Sequence, residues 1–181
     1  MKKLLTTLML ALAGTLLFLL ALAAGGAAQG PHPPQPAGTG GLSSQAQTWI
    51  IERVDAPRFF ANMADRNLRL DAQGRPHIAY GGDSLYYAWY DGSAWHIWTV
   101  DPAGGVGYYA SLALDSNGRP HISYYDATNG DLKYAYFDGS QWHTDTVDSD
   151  GDVGWDTSLA LDANGRPHIS YYDATNGDLK Y

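Results

Sequence analysis

Apolar and polar positions alternate with a period of two over short runs along most of this chain. In its central part the runs are Ser111–Leu114, His121–Tyr125, Leu132–Phe137 and Trp142–Val147, each of ordinary strand length. Asn117-Gly118, Asn129-Gly130 and Asp138-Gly139 separate them. Such pairs favour two-residue type I′ turns, whose two central residues both take positive φ. The pattern therefore predicts an antiparallel meander of four strands. Pro120 and Pro167 fall where strands begin, a position that tolerates a missing N–H. Neither face of the runs is cleanly polar, as expected of a sheet packed on both sides. No helical period survives the glycine spacing in this part of the chain.

The meander repeats. Ser111–Tyr134 recurs 47 residues later as Ser158–Tyr181, differing only where Ser116 is replaced by Ala163. Asn67–Tyr80 is a weaker copy, and Thr48–Asp55 aligns with Ala94–Asp101 and Gln141–Asp148. Four short strands at this period predict one propeller blade per unit. The fold class expected is all-β, with β-propeller blades of four antiparallel strands and about 47 residues per repeat. Twelve strands are expected from Thr48, three blades' worth, the last interrupted in mid-blade at Tyr181. A propeller closes with roughly four to eight blades, so the expectation is an incomplete propeller, a fragment or one that closes by oligomerising.

Met1–Ala28 reads as a signal peptide: Lys2 and Lys3, an apolar run, then small residues. An uncleaved anchor is the alternative, because the run is long enough to span a bilayer. Residues 29–47 form a Pro/Gly-rich linker with too little apolar bulk to order itself. The repeat region is 48–181, and the expected location is secreted or extracytoplasmic. The formal charge of −8 and the absence of cysteine exclude a basic nucleic-acid surface, disulfide staples and thiolate metal sites. A membrane is a partner only if the N-terminal segment stays uncleaved.

The units DSNGRPHISYYDATNGDLKYAYFDGSQW resemble those of secreted bacterial β-propeller repeat proteins, among which lectin-like and sialidase-like propellers are the nearest functional groups. The resemblance covers Thr48–Tyr181. It implies a propeller fold and an extracellular binding or scaffold role. The corner Asp138-Gly139-Ser140-Gln141-Trp142 is one residue shorter than the sialidase Asp-box S-x-D-x-G-x-T-W. No positions match that family's arginine triad or nucleophilic tyrosine.

Three sets of residues invite chemistry. Arg75-Pro76-His77, Arg119-Pro120-His121 and Arg166-Pro167-His168 recur in every unit, which favours a structural role over a single catalytic base. Asp148, Asp150 and Asp152 have the alternate acidic spacing that suits Ca²⁺, but the sister loop Asp101–Gly105 keeps only the first acid, which favours a solvated acidic turn. Tyr124, Tyr125 and Asp126, their copies Tyr171, Tyr172 and Asp173, and Tyr108 and Trp155 on preceding loops form candidate sugar-stacking shelves. The competing reading places these aromatics in the core between blades. The functional expectation is a binding or scaffold module for carbohydrate or a surface protein, with no catalytic residue and no cofactor. The alternatives are a protein-interaction propeller without a small ligand, or part of a propeller glycosidase or lyase whose catalytic residues lie elsewhere.

Overall fold

The structure is a computed structural model that describes residues 50–55, 60–63 and 65–181. The expected signal peptide (1–28) and linker (29–47) lie outside the described residues. After a 3₁₀ turn at Asp65–Asn67, eleven strands follow, arranged as three antiparallel meanders. The first sheet holds β1 (Leu68–Leu70), β2 (Pro76–Gly81), β3 (Leu85–Tyr90) and β4 (Trp95–Asp101) in that order. The second holds β5 (Val106–Leu114), β6 (Pro120–Asp126), β7 (Asp131–Phe137) and β8 (Trp142–Asp148). The third holds β9 (Val153–Leu161), β10 (Pro167–Asp173) and β11 (Asp178–Lys180). The all-β class, the repeat period and the four-strand unit are as the sequence predicts, and the arc of sheets is open. No helix among the described residues is long and apolar enough to cross a membrane.

Three expectations need correction. The segment aligned with β4 and β8 is not a strand in its described part, Ile50–Asp55. A strand exists only through its ladder, and no described strand pairs with this one. It lies instead on the first sheet, where Val54 packs on Tyr80, Tyr86 and Ala88 and the Tyr80 hydroxyl donates to Asp55 at 2.8 Å. Secondly, β5 begins at Val106 rather than Ser111, because bulges carry the ladder through a stretch without alternation, with register shifts on both sides of Tyr108.

Thirdly, the turns are not type I′. In Asp115–Gly118 the Gly118 N–H returns to the Asp115 carbonyl at 2.9 Å, and Gly118 has φ +76° while Asn117 does not have positive φ. This is a three-residue loop that ends on a left-handed glycine. Its aspartate explains the choice. Asp115 Oδ1 accepts the N–H groups of Asn117 and Arg119, both at 2.8 Å, and Oδ2 accepts Arg119 Nε at 2.8 Å. Asp71 and Asp162 hold Arg75 and Arg166 in the same way. At Asp138 the two-residue loop is Gly139-Ser140, with only the glycine at positive φ, as in type II′ turns.

The sheets pack face to face, and the same residues make each junction. Leu112, Leu114 and Ile122 of the second sheet meet Tyr87 and Trp89 of the first. Leu159, Leu161 and Ile169 of the third meet Tyr134 and Tyr136 of the second. A polar clasp crosses each junction. Tyr124 donates to Asp101 at 2.8 Å and Lys133 Nζ sits 2.6 Å from the same carboxylate; Tyr171 and Lys180 hold Asp148 at 2.6 and 2.8 Å. Close approach also requires glycine. A Cβ on Gly154, at φ +103°, would lie 2.8 Å from Leu132 Cα.

The two near-identical copies show how much this packing matters. The segment PHISYYD is buried at all seven positions in β6 but only in part in β10. Leu132 is 0 % exposed and its copy Leu179 is 84 % exposed. Leu132→Ala should therefore cost about 2–5 kcal/mol, whereas Leu179→Ala should stay within about 0.5 kcal/mol, measured by urea unfolding in dilute solution. The clasp predicts an acid limb. Hydrogen bonds from Lys180, Tyr171 and the Asp150 N–H lower the Asp148 pKa from 3.8 to about 2. Its stabilisation is therefore complete above about pH 4 and lost as the pH falls through about 2. Asp148→Asn should be less stable at neutral pH and should lack that part of the acid-induced loss.

Candidate functional site

Three residues other than glycine have positive φ in the described chain: Asn62 (54°), Tyr109 (53°) and Asp156 (49°). They lie 47 residues apart, one per repeat: Tyr109 and Asp156 in the bulged first half of β5 and β9, and Asn62 at the equivalent corner ahead of β1. A left-handed conformation costs an ordinary side chain roughly 1–2 kcal/mol, and it is a marked outlier for a tyrosine. The corners of successive repeats meet. Asn62 hydrogen-bonds the Tyr109 side chain, and Arg66 Nη2 ends 4.0 Å from Asp156 Oδ1.

Tyr109 sits in an aromatic group that spans the second and third sheets. Its ring stacks on Trp155 with centroids 5.8 Å apart and meets Tyr125 at 6.1 Å, while Tyr125 and Trp155 are 5.8 Å apart. The group closes on one carboxylate: Tyr125 Oη and Trp155 Nε1 both donate to Asp152 Oδ1, at 2.6 and 2.8 Å. Asp152 is fixed in turn, because its N–H donates to Thr175 Oγ1 at 2.7 Å. Burial, then the bond to Asp152, raises the Tyr125 pKa to about 12. Burial and the Asp156 charge raise that of Tyr109. Both phenols are therefore neutral hydroxyls at physiological pH. Tyr125 is buried, Tyr109 and Trp155 are half-buried and Asp156 is exposed, so the group is a shallow shelf whose aromatic faces are those of Tyr109 and Trp155 and whose edges are acidic.

The structure divides the residues singled out in the sequence. Tyr125 and Trp155 come together on the shelf. Tyr108, half-buried, pairs in register with Tyr125 on β5. Tyr124 and Tyr171 are buried in the clasps between sheets. Asp126 and Asp173 are buried too, each accepting two backbone N–H groups and an asparagine side chain of its own turn. Tyr172, the copy of Tyr125, is 41 % exposed on the open face of the third sheet.

Asp148, Asp150 and Asp152 do not converge: Asp148 belongs to a clasp and Asp152 to the shelf. Among the described residues no group of three or more His, Asp or Glu side chains is placed to hold a metal ion. The Arg-Pro-His triplets brace turns, with each arginine on its aspartate and each histidine Nδ1 against a tyrosine hydroxyl: His77 with Tyr87, His121 with Tyr134, His168 with Tyr181. Asp138 accepts the N–H groups of Ser140 and Gln141 and the His143 ring, so the corner that resembles an Asp-box is a self-contained turn.

Tyr109, Asn62 and Asp156 carry the site and were not singled out from the sequence. A signal does exist. The copies are nearly identical from Ser111 and Ser158 onward, yet just before them GVGYYA stands against DVGWDT. The difference at Tyr108, Tyr109 and Ala110 against Trp155, Asp156 and Thr157 stands directly beside the nearly identical segment, and Ala94–Gly105 against Gln141–Asp152 varies as well.

No family model matches this chain, and no curated protein matches it. Among solved structures, a fucose lectin from Kordia zhangzhouensis, in complex with methyl-fucoside, is 24% identical over 62% of this chain and 87% of its own, with a TM-score of 0.43. A likeness at that level does not bear on function.

The strained corner yields a test independent of any ligand. Tyr109→Gly relieves the left-handed conformation and Tyr109→Ala does not, so the glycine variant should be the more stable of the two by about 1 kcal/mol in chemical denaturation.

Proposed function

We propose that this chain is an exported binding module of β-propeller type whose shelf at Tyr109, Tyr125 and Trp155 takes carbohydrate. The observation that carries this reading is a bulky aromatic side chain held in a left-handed corner and stacked beside a tryptophan. Strain of this kind persists where the surroundings over-determine it, and it clusters at ligand sites. Aromatic faces suit the C–H faces of pyranose rings, and the polar edge of the shelf suits hydroxyl groups.

The charge of the site narrows the ligand. Asp152 and Asp156 border the shelf on a chain of net charge −8, so a carboxylate-bearing sugar would meet like charge. The ligand class proposed is therefore neutral saccharide. The site is shallow and offers aromatic faces with hydrogen-bonding groups at its edge, which supports recognition.

The intact chain should be retained by neutral glycans on an array and not by sialylated or uronic ones. Tyr109→Ala and Trp155→Ala should each weaken that binding about tenfold, a loss of roughly 1.4 kcal/mol in calorimetric titration. Indifference to every neutral glycan, or undiminished affinity in both variants, would overturn the proposal.

A further inference from the structure

Arg66 reaches the shelf from the 3₁₀ turn ahead of β1. Its Nη2 ends 4.0 Å from Asp156 Oδ1, and the charge of Asp156 acts in turn on the Tyr109 phenol. Arg66 is half-buried, and its Nε is buried without a hydrogen-bond partner. An unmet buried donor destabilises the fold and calls for a reason. Asp156 adopts the left-handed region at φ 49° with its side chain 68 % exposed. The arginine leaves a donor unmet, and the aspartate takes an unfavourable conformation without burying its side chain. Packing therefore accounts for neither half of the pair.

Their separation has chemical content. At 4.0 Å the two groups are past direct hydrogen-bonding distance, and an exposed ion pair of that length contributes little to stability. One hydroxyl group beside the pair, about 2.8 Å from each, accepts from Nη2 and donates to Oδ1 at once. A carboxylate cannot donate to Asp156, an ammonium cannot accept from Arg66, and an ether oxygen only accepts. The pair therefore selects a hydroxyl. It also occurs once among the three repeats: the residues aligned with Arg66 are Ala110 and Thr157, both buried and uncharged.

We propose that Arg66 and Asp156 are the specificity-determining clamp of the shelf: a sugar ring laid on Tyr109 and Trp155 presents one hydroxyl to both of them. This rests on the shelf taking neutral saccharide. Three successive repeats contribute to the one site. Arg66 comes from the turn ahead of the first sheet, Tyr109 from β5 of the second, and Trp155 and Asp156 from β9 of the third. A site built to hydrogen-bond a substrate hydroxyl rejects the analogue that lacks it, because its own polar groups are then left unpaired.

Calorimetric titration of the intact chain with methyl glycosides of neutral hexoses, and with the monodeoxy analogues of the tightest binder, reads the clamp directly. One monodeoxy analogue should bind the wild-type chain at least about tenfold more weakly than its parent. That discrimination should fall to about twofold in Arg66→Met and in Asp156→Gly, while the ranking of the other analogues is kept. Arg66→Met retains the alkyl stem and removes the unmet N–H, and Asp156→Gly suits the left-handed corner, so both should keep the far-UV spectrum and the urea midpoint of the wild type. Equal binding of every monodeoxy analogue by the wild-type chain, or discrimination that persists in either variant, would overturn the clamp and leave the shelf standing. Failure of the wild-type chain to bind any of the glycosides would overturn the shelf and the clamp together.

Discussion

The structure depends on one constraint: a four-stranded sheet that is apolar on both faces cannot stand in water by itself. Each sheet becomes stable only by lying against another of its kind. The clasp from the last strand of one sheet to the tyrosine of the next converts that requirement into a fixed geometry. Asp101 shows how the two effects compare. Burial alone would raise its pKa, yet hydrogen bonds from Lys133, Ala103 and Tyr124 outweigh burial and hold it below the ordinary range. A buried carboxylate satisfied in this way specifies position, because a sliding sheet would leave the charge unpaired in a poorly polarisable setting. The apolar triplets supply the attraction, and the clasps supply the register.

The repeated aspartates divide the remaining labour. Those at Asp71, Asp115 and Asp162 close the first hairpin of each unit through the arginine four residues on in the same loop. Those at Asp91 and Asp138 close the third hairpin through serine and histidine. Those at Asp126 and Asp173 close the second through asparagine. An acidic composition that suggests solvated loops or cation sites is in large part turn chemistry, in which a carboxylate accepts the N–H groups that a tight loop leaves without partners.

Much of this was legible in the sequence, and the boundary of legibility has a physical basis. Strands β6, β7 and β8 follow their alternating runs closely, and the prolines mark their starts, because these signals are local. Asn-Gly is ambiguous as to turn type: the glycine is left-handed in either geometry, and the aspartate two residues before Asn117 decides between them. The clasps were invisible because Asp101 and Lys133 are 32 residues apart and belong to different sheets. Tyr124 and Tyr125 are neighbours in sequence, yet one is sealed between sheets and the other reaches the shelf. Strand alternation separates their faces, both are buried, and only the packing partner of each face tells which contacts it makes.

The site follows from the same constraint. The left-handed position in the bulged part of β5 and β9 is one of the places where one repeat differs from the next at low cost to the fold. Asn62, Tyr109 and Asp156 occupy equivalent left-handed positions with an amide, a phenol and a carboxylate. Each sheet added to the arc therefore adds one corner of free choice next to those already present. Recognition in such a molecule is written across successive corners, and no single repeat contains it. This is why a sequence motif common to all units describes the scaffold well and the ligand poorly.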